Sequence, residues 1–304
     1  MSVSIGLITQ IIEKIAPKSW AEEWDNVGLL VGQGAARVER ILLTLDGTLK
    51  VVEEAETGAA QLIIAHHPIF FRGLKNLRED NAEAQIPLRL IRSGIAYYAA
   101  HTNLDQSALS SSWTIGNALG LRQMQILAPV AREAQLAGAL RQLKKVHPYE
   151  EPADELVPLG NTGEERGYGV IGYLKEPRKL EELWLILQKL FQTGSGITFN
   201  SCPPGMRLAG DSQKLIRKIA IANGSGGSFI NKALFKGADL FISGDIGHHD
   251  LLDALERNLA VADIGHYLSE VPMLYSLRDY LRAEKPLHDL EIRLSSQNSI
   301  PWSK

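Results

Sequence analysis

A single cysteine, Cys202, stands among the 304 residues. An intramolecular disulfide is thereby excluded, and so is a zinc site built from thiolates. Any metal bound by this chain has to use histidine, carboxylate and water. Long apolar runs are missing as well: no stretch reaches the roughly 18–20 residues that span a bilayer. The opening residues, MSVSIGLITQ, carry neither the basic n-region nor the long apolar core of a signal peptide. One thiol fits a reducing compartment, so the expectation is a soluble, cytoplasmic protein with no membrane partner. Charge of one sign is not in excess. The 32 Lys and Arg against 35 Asp and Glu leave a formal net charge of -3, which makes nucleic acid an unfavoured partner. With 45% hydrophobic and 22% charged residues, there is enough core for one large or two modest domains.

Short apolar runs alternate with helical patterns. Ile8, Ile11, Ile12 and Ile15 form the stripe of an amphipathic helix within the first twenty residues. Ile41–Asp46 reads as a strand, Leu49–Thr57 as a helix, Leu62–Ala65 as a strand, Ile86–Ser93 as a helix and Ile95–Ala100 as a strand. The pattern returns after residue 205, with strands at Ile219–Ala222, within Gly237–Gly244 and at Leu259–Ile264. The phrases GAAQLIIA (58–65) and GADLFISG (237–244) match one another in form. The expected architecture is α/β: duplicated three-layer α/β units with largely parallel sheets, interrupted by a short insert. The boundaries are set at 1–125, 126–205 and 206–304. The middle segment is rich in breakers, including Pro129, Pro148, Pro152, Pro158 and Pro177. It carries one expected helix, Glu133–Lys145, and the phrase His147-Pro148-Tyr149-Glu150-Glu151-Pro152.

The strand ends carry the chemistry. In open α/β sheets ligands bind past the carboxyl ends of the strands. His66 and His67 follow the second strand, beside Pro68, where the chain can bend and aim two rings at two different ions. Asp105 closes the loop after the third strand. In Gly265-His266-Tyr267-Leu268-Ser269-Glu270, a helix beginning near Gly265 puts His266 and Glu270 on one face at i and i+4. Nitrogen and hard oxygen donors together suit divalent transition metals. His66, His67, Asp105, His266 and Glu270 are too many ligands for one open tetrahedral site. They suit two metal ions sharing the Glu270 carboxylate or a bridging water. Ligand type does not choose among Zn, Mn, Fe, Co and Ni.

His101 is either a further ligand or a group that orients ligands and moves protons. His248, beside His249 and Asp250, either borders the pocket as a proton-handling group or belongs to a solvated helix start. The loop Asn223–Ser228 has two readings, a backbone cradle for phosphate and a flexible turn.

With these residues together, the chain resembles the Nif-three-like family, the GTP cyclohydrolase I type two homologues. Trp24-Asp25-Asn26-Val27-Gly28 is similar to the family's N-terminal signature, Leu45-Asp46 to its LxLD segment, and the His147–Ala153 phrase to a motif of its inserted domain. The resemblance covers most of the chain. It implies a toroidal homohexamer whose dinuclear metal centre faces an internal cavity, with the five residues above as metal ligands. It also implies a metal-dependent hydrolase acting on a nucleotide or other small molecule, such as opening of the GTP purine ring, with His101 and His248 as candidate catalytic groups. The alternative is a non-enzymatic regulatory or partner-binding hexameric ring with structural metals. The insert is shorter than in longer members of the family.

Overall fold

The computed structural model describes residues 2–130, 140, 142–147, 166–194, 205–297 and 299–300. Among the described residues, two large sheets carry most of the chain beside a small two-stranded one, and each large sheet has helices on both faces. After a short β1 (Val3–Ser4) comes helix α1 (Ile5–Ile15). Its first turn is capped by Ser4, whose hydroxyl accepts from the Leu7 N–H at 3.3 Å. Strands β2 (Gly28–Val31), β3 (Arg37–Val38), β4 (Arg40–Thr44), β5 (Leu62–Ala65) and β6 (Ala96–Ala99) follow. Helices α2 (Leu49–Thr57) and α3 (Gln85–Ser93) make the crossovers between β4, β5 and β6. The first sheet has the order β13-β4-β5-β6-β2, where β13 is Glu291–Leu294. Its β13, β4, β5 and β6 run parallel, and β2 closes the edge antiparallel.

Strand alternation sorts the core into two layers. Ile41, Leu43, Leu62, Ile64 and Tyr98 join Ile5, Ile8 and Ile12 of α1 on one face. Leu42, Ile63, Tyr97 and Ala99 meet Val51, Val52 and Ala55 of α2 on the other. The helix expected over the first twenty residues ends at Ile15, because Pro17 cannot extend it.

The two short helices α4 (Thr102–Asp105) and α5 (Ser111–Ala118) lead to the second sheet, ordered β7-β8-β10-β11-β12-β9. Its strands are β7 (Arg122–Pro129), β8 (Gly167–Lys179), β9 (Arg207–Ala209), β10 (Leu215–Ser225), β11 (Leu240–Gly244) and β12 (Ala260–Asp263). Helix α6 (Leu180–Gly194) precedes β9, α7 (Ile230–Phe235) joins β10 to β11, and α8 (His248–Glu256) joins β11 to β12. The parallel trio β10-β11-β12 repeats β4-β5-β6, with antiparallel strands on both flanks. The repeat extends to hydrogen bonds. Gln61 Oε1 accepts the consecutive N–H groups of Glu39 and Arg40, each at 2.9 Å. Asp239, in the same place before β11, accepts those of Arg217 and Lys218 at 2.9 and 2.8 Å.

The expected insert boundaries do not coincide with the sheets. β7 spans residue 125, and β8 pairs with β10 from Val170 to Lys179. Residues 167–194 thus pack with the second sheet, since β8 buries Val170 and Leu174 against Leu183 and Leu187 of α6. Of the expected Glu133–Lys145 helix, Leu140 and residues 142–145 are described and are helical. Residues 133–139, 141 and the phrase from Pro148 to Ala153 lie outside the described residues, as does Cys202. Last come α9 (His266–Glu270) and α10 (Pro272–Ala283). Pro272 has no N–H to give, and it sets the break between them. Among the described residues, no helix is long and apolar enough to cross a membrane.

Candidate metal centre

The carboxyl ends of the two parallel trios face each other, and the polar residues beyond them meet in one cluster. His66 follows β5 and is fully buried, with Nδ1 2.9 Å from the Ala100 carbonyl oxygen. His67 turns the other way and sets Nδ1 2.8 Å from Asp46 Oδ1. His101 caps α4 and holds Nδ1 2.9 Å from Asp25 Oδ1. His266 opens α9 with Nδ1 2.8 Å from Asp245 Oδ2. A carbonyl or carboxylate oxygen only accepts, so Nδ1 carries the proton in all four rings. In each neutral ring Nε2 therefore presents a lone pair, the arrangement of metal-bound histidines with their orienting partners.

The lone pairs of His66, His67 and His266 converge on Glu270, a side chain only 4% exposed. His66 Nε2 lies 3.7 Å from Glu270 Oε1 and 3.7 Å from Asp105 Oδ1. His67 Nε2 and His266 Nε2 each lie 3.1 Å from Glu270 Oε2. The i,i+4 pair read from the sequence is thus realised on one helix turn. His66 Nε2 and Glu270 Oε2 are buried with no hydrogen-bond partner among the described residues. With neutral rings, each contact sets lone pair against lone pair, and only a proton or a metal cation relieves it.

Without a metal, protons take that place. Burial pushes His67 down, but hydrogen bonds to Asp46 and Glu270 and both their charges bring it up to about 10. The hydrogen bond to Glu270 lifts His266 to about 9 against its burial, with help from Asp245. Glu270 would be raised by burial, yet His66, His266 and His67 hold it well below the usual carboxylate range. Burial raises Asp105, and the nearby Glu270 charge adds to this against the pull of His66.

The supporting residues come from both halves. Asn223, at the end of β10, donates to Asp105 Oδ1 at 2.6 Å and accepts from Ser112 Oγ at 2.7 Å. Ser269 Oγ accepts the Gly224 N–H at 2.9 Å. The Asn223–Ser228 loop therefore braces the two buried carboxylates, with Asn223 on Asp105 and Gly224 against Glu270. At Gly244 a Cβ would lie 2.7 Å from the Gly265 backbone, and this close approach seats the start of α9 beside β11.

Among the described residues, two groups of ring nitrogens and carboxylate oxygens could hold a metal ion: His66, His67 and His101, and His67, His266 and Glu270, with ligand atoms within 4.8 Å of one another. Asp105 adjoins the first through His66. His248 stands outside both groups, ring to ring with His249 at 5.4 Å. The sequence reading missed Asp25 and Asp245 as orienting carboxylates and Asn223 as the brace of Asp105. Their signal was position, since each follows or faces a strand end.

The comparisons with known proteins agree with this fold. Residues 3–301 match the model of the DUF34/NIF3 family (NGG1p interacting factor 3). The chain belongs to this family. Among curated relatives, the GTP cyclohydrolase 1 type 2 homolog of Clostridium perfringens is 33% identical over 295 residues, covering 97% of each chain. That of Halalkalibacterium halodurans is 31% identical over 374 residues, again covering 97% of each, so the longer relative carries residues this chain lacks. Of solved structures, a NIF3-related protein of Bacillus cereus superposes with a TM-score of 0.80 at 27% identity, covering 99% of both chains. A Staphylococcus aureus family structure gives 0.80 at 30% identity over 99% of both.

Proposed function

We propose that His66, His67, Asp105, His266 and Glu270 hold two divalent metal ions, with Glu270 between them, and that this centre hydrolyses a small-molecule substrate. The observation that carries the reading is the pair of buried atoms with no hydrogen-bond partner among the described residues, His66 Nε2 and Glu270 Oε2. Mixed imidazole and carboxylate donors fit a divalent transition metal. On the grouping of distances, His66 and Asp105 serve one ion, His67 and His266 the other.

When bound, two such ions supply Lewis acidity and an acidified water near neutral pH. The chain does the rest. Asp46, Asp245 and the Ala100 carbonyl fix the ring tautomers and raise the basicity of the facing nitrogens. His101 has Nδ1 tied to Asp25, so it exchanges protons at Nε2, the arrangement of a general acid–base group. The His266 side chain is 40% exposed, which opens the centre on one side. A metal that only braces a fold sits in a closed shell, and this openness favours the reactive reading over a purely structural one.

The printed name of the curated relatives makes GTP the first substrate to assay. We further propose a ring-shaped homohexamer, to be tested by sedimentation. Elemental analysis and a nucleotide hydrolysis screen of the purified protein decide the main reading. About two equivalents of metal, lost in a His67→Ala/Glu270→Ala double variant, are expected with turnover that the variant lacks. Metal retained by the variant sinks the metal assignment, and turnover no higher than the variant's sinks the hydrolase.

A further inference from the structure

Trp24 and Phe71 are large apolar side chains left 60% and 49% exposed. They are not loose. Asp25, next to Trp24, is inaccessible and is tied to His101 and to the Thr102 N–H at 3.1 Å. Asn26 donates to the Phe70 carbonyl at 2.8 Å, fixing the segment that bears Phe71. The two rings stand 6.0 Å apart, tilted by 46°. His101 completes a triangle, 5.9 Å from Trp24 and 5.8 Å from Phe71. Its ring in turn lies 5.0 Å from His66 and 5.4 Å from His67. The two aromatic rings are therefore exposed to solvent and adjoin the histidine cluster through His101.

Leaving this much aromatic surface wet forfeits burial that folding normally takes. Holding it on a hydrogen-bonded backbone beside a polar cluster is how binding sites keep a preformed apolar wall. Trp and Phe offer π-faces that stack on flat rings. The segment after Phe71 adds charge. Arg72 and Lys75 are exposed and form no ion pair among the described residues, whereas Arg78 is taken by Asp80 at 2.5 Å.

We infer that Trp24 and Phe71 form a binding site for a planar heteroaromatic ring carrying an anionic group, and that they present this ring to the His101 side of the cluster. The inference rests on the reading of that cluster as the reacting centre, but the site binds whether or not turnover follows. Trp24 supplies the stacking face, Phe71 the side wall, and Arg72 and Lys75 the counter-charge.

The test is binding rather than turnover. GTP, guanosine, tripolyphosphate and ribose 5-phosphate are titrated against the full chain and against Trp24→Leu, Trp24→Phe and Phe71→Leu, by calorimetry and tryptophan fluorescence. GTP and guanosine are expected to bind and change the fluorescence saturably. Trp24→Leu should weaken both about tenfold or more and abolish the signal, while Trp24→Phe keeps most of the affinity. Ribose 5-phosphate should bind far more weakly than GTP to every form. Unchanged affinity in Trp24→Leu overturns the site, as does equal binding of GTP and tripolyphosphate, or no binding of either ring compound at millimolar concentration. A change of subunit number in Trp24→Leu with nucleotide affinity intact also overturns it, assigning the aromatics to an interface between copies. Binding without hydrolysis leaves this site standing and sinks only the hydrolase.

Discussion

Gly224 is in contact with Glu270: a Cβ built on Gly224 would lie 2.5 Å from Glu270 Oε1. The glycine comes from the second sheet at a φ of +66°, and the carboxylate closes the cluster fed by the first. A methyl here has to push Glu270 off the histidines, and a non-glycine residue pays a further 1 kcal/mol or so for the left-handed backbone. Gly224→Ala is expected to cost about 2 kcal/mol in total and lower Tm by several degrees. Bound metal should fall with it. A variant with normal Tm and full metal content refutes the contact.

Glu270 faces both histidine groups, so its removal should affect both proposed ions. Elemental analysis of Glu270→Ala is expected to show near-complete metal loss. His266→Ala, which touches only Oε2, should lose mainly one equivalent. Equal loss in the two variants argues against a bridging carboxylate.

On the proposed reading, the orienting carboxylates Asp46 and Asp245 serve one of the two proposed ions only. Asp46 holds His67 and Asp245 holds His266, and both rings face the same Glu270 oxygen. Asp46→Ala and Asp245→Ala should each weaken one class of metal site by roughly 10–100-fold, measured by competition with a chelator. The other class should keep its affinity. Asp46 also accepts a hydrogen bond from Ser299, so Ser299→Ala should show a smaller effect of the same kind.

Asp25 sets a pH dependence. Burial pushes its carboxyl up, but hydrogen bonds from His101, Thr102 and the Asn26 N–H bring it down to about 2 from 3.8. The folded value lies below the unfolded one. Its contribution is fully present above about pH 4 and is lost as the pH falls through 2. It amounts to about 2 kcal/mol. Denaturant titrations should show the difference between the parent and Asp25→Asn shrink between pH 4 and 2. A constant difference across that range rejects the assignment.

Much of the first sheet was legible in the sequence. Runs such as Ile41–Leu43 and Leu62–Ala65 are apolar at every position because both faces are covered, and the observed strands match the expected ones closely. The i,i+4 pair His266 and Glu270 was legible because a helix turn fixes that spacing. The insert boundaries were not. β8 joins the second sheet through pairings with β7 and β10, and long-range antiparallel pairing leaves no local mark. His248 and His101 looked alike as strand-end histidines. Only the packing around Asp25 brings His101 into the cluster, while His248 begins an exposed helix.

The sequence by itself limited the donors open to a metal. With one cysteine, a metal site had to be made of histidine and carboxylate, and short apolar strands put those residues at strand ends, where the period of each element fixes their direction. The tertiary structure decided which ends meet. Juxtaposing Glu270 with His66 and His67, some two hundred positions away in the chain, requires the strand ends of the two sheets to meet. It also requires glycines at 224 and 244 to let the backbones close. Those are contacts of shape and volume between distant segments, and local propensity does not encode them.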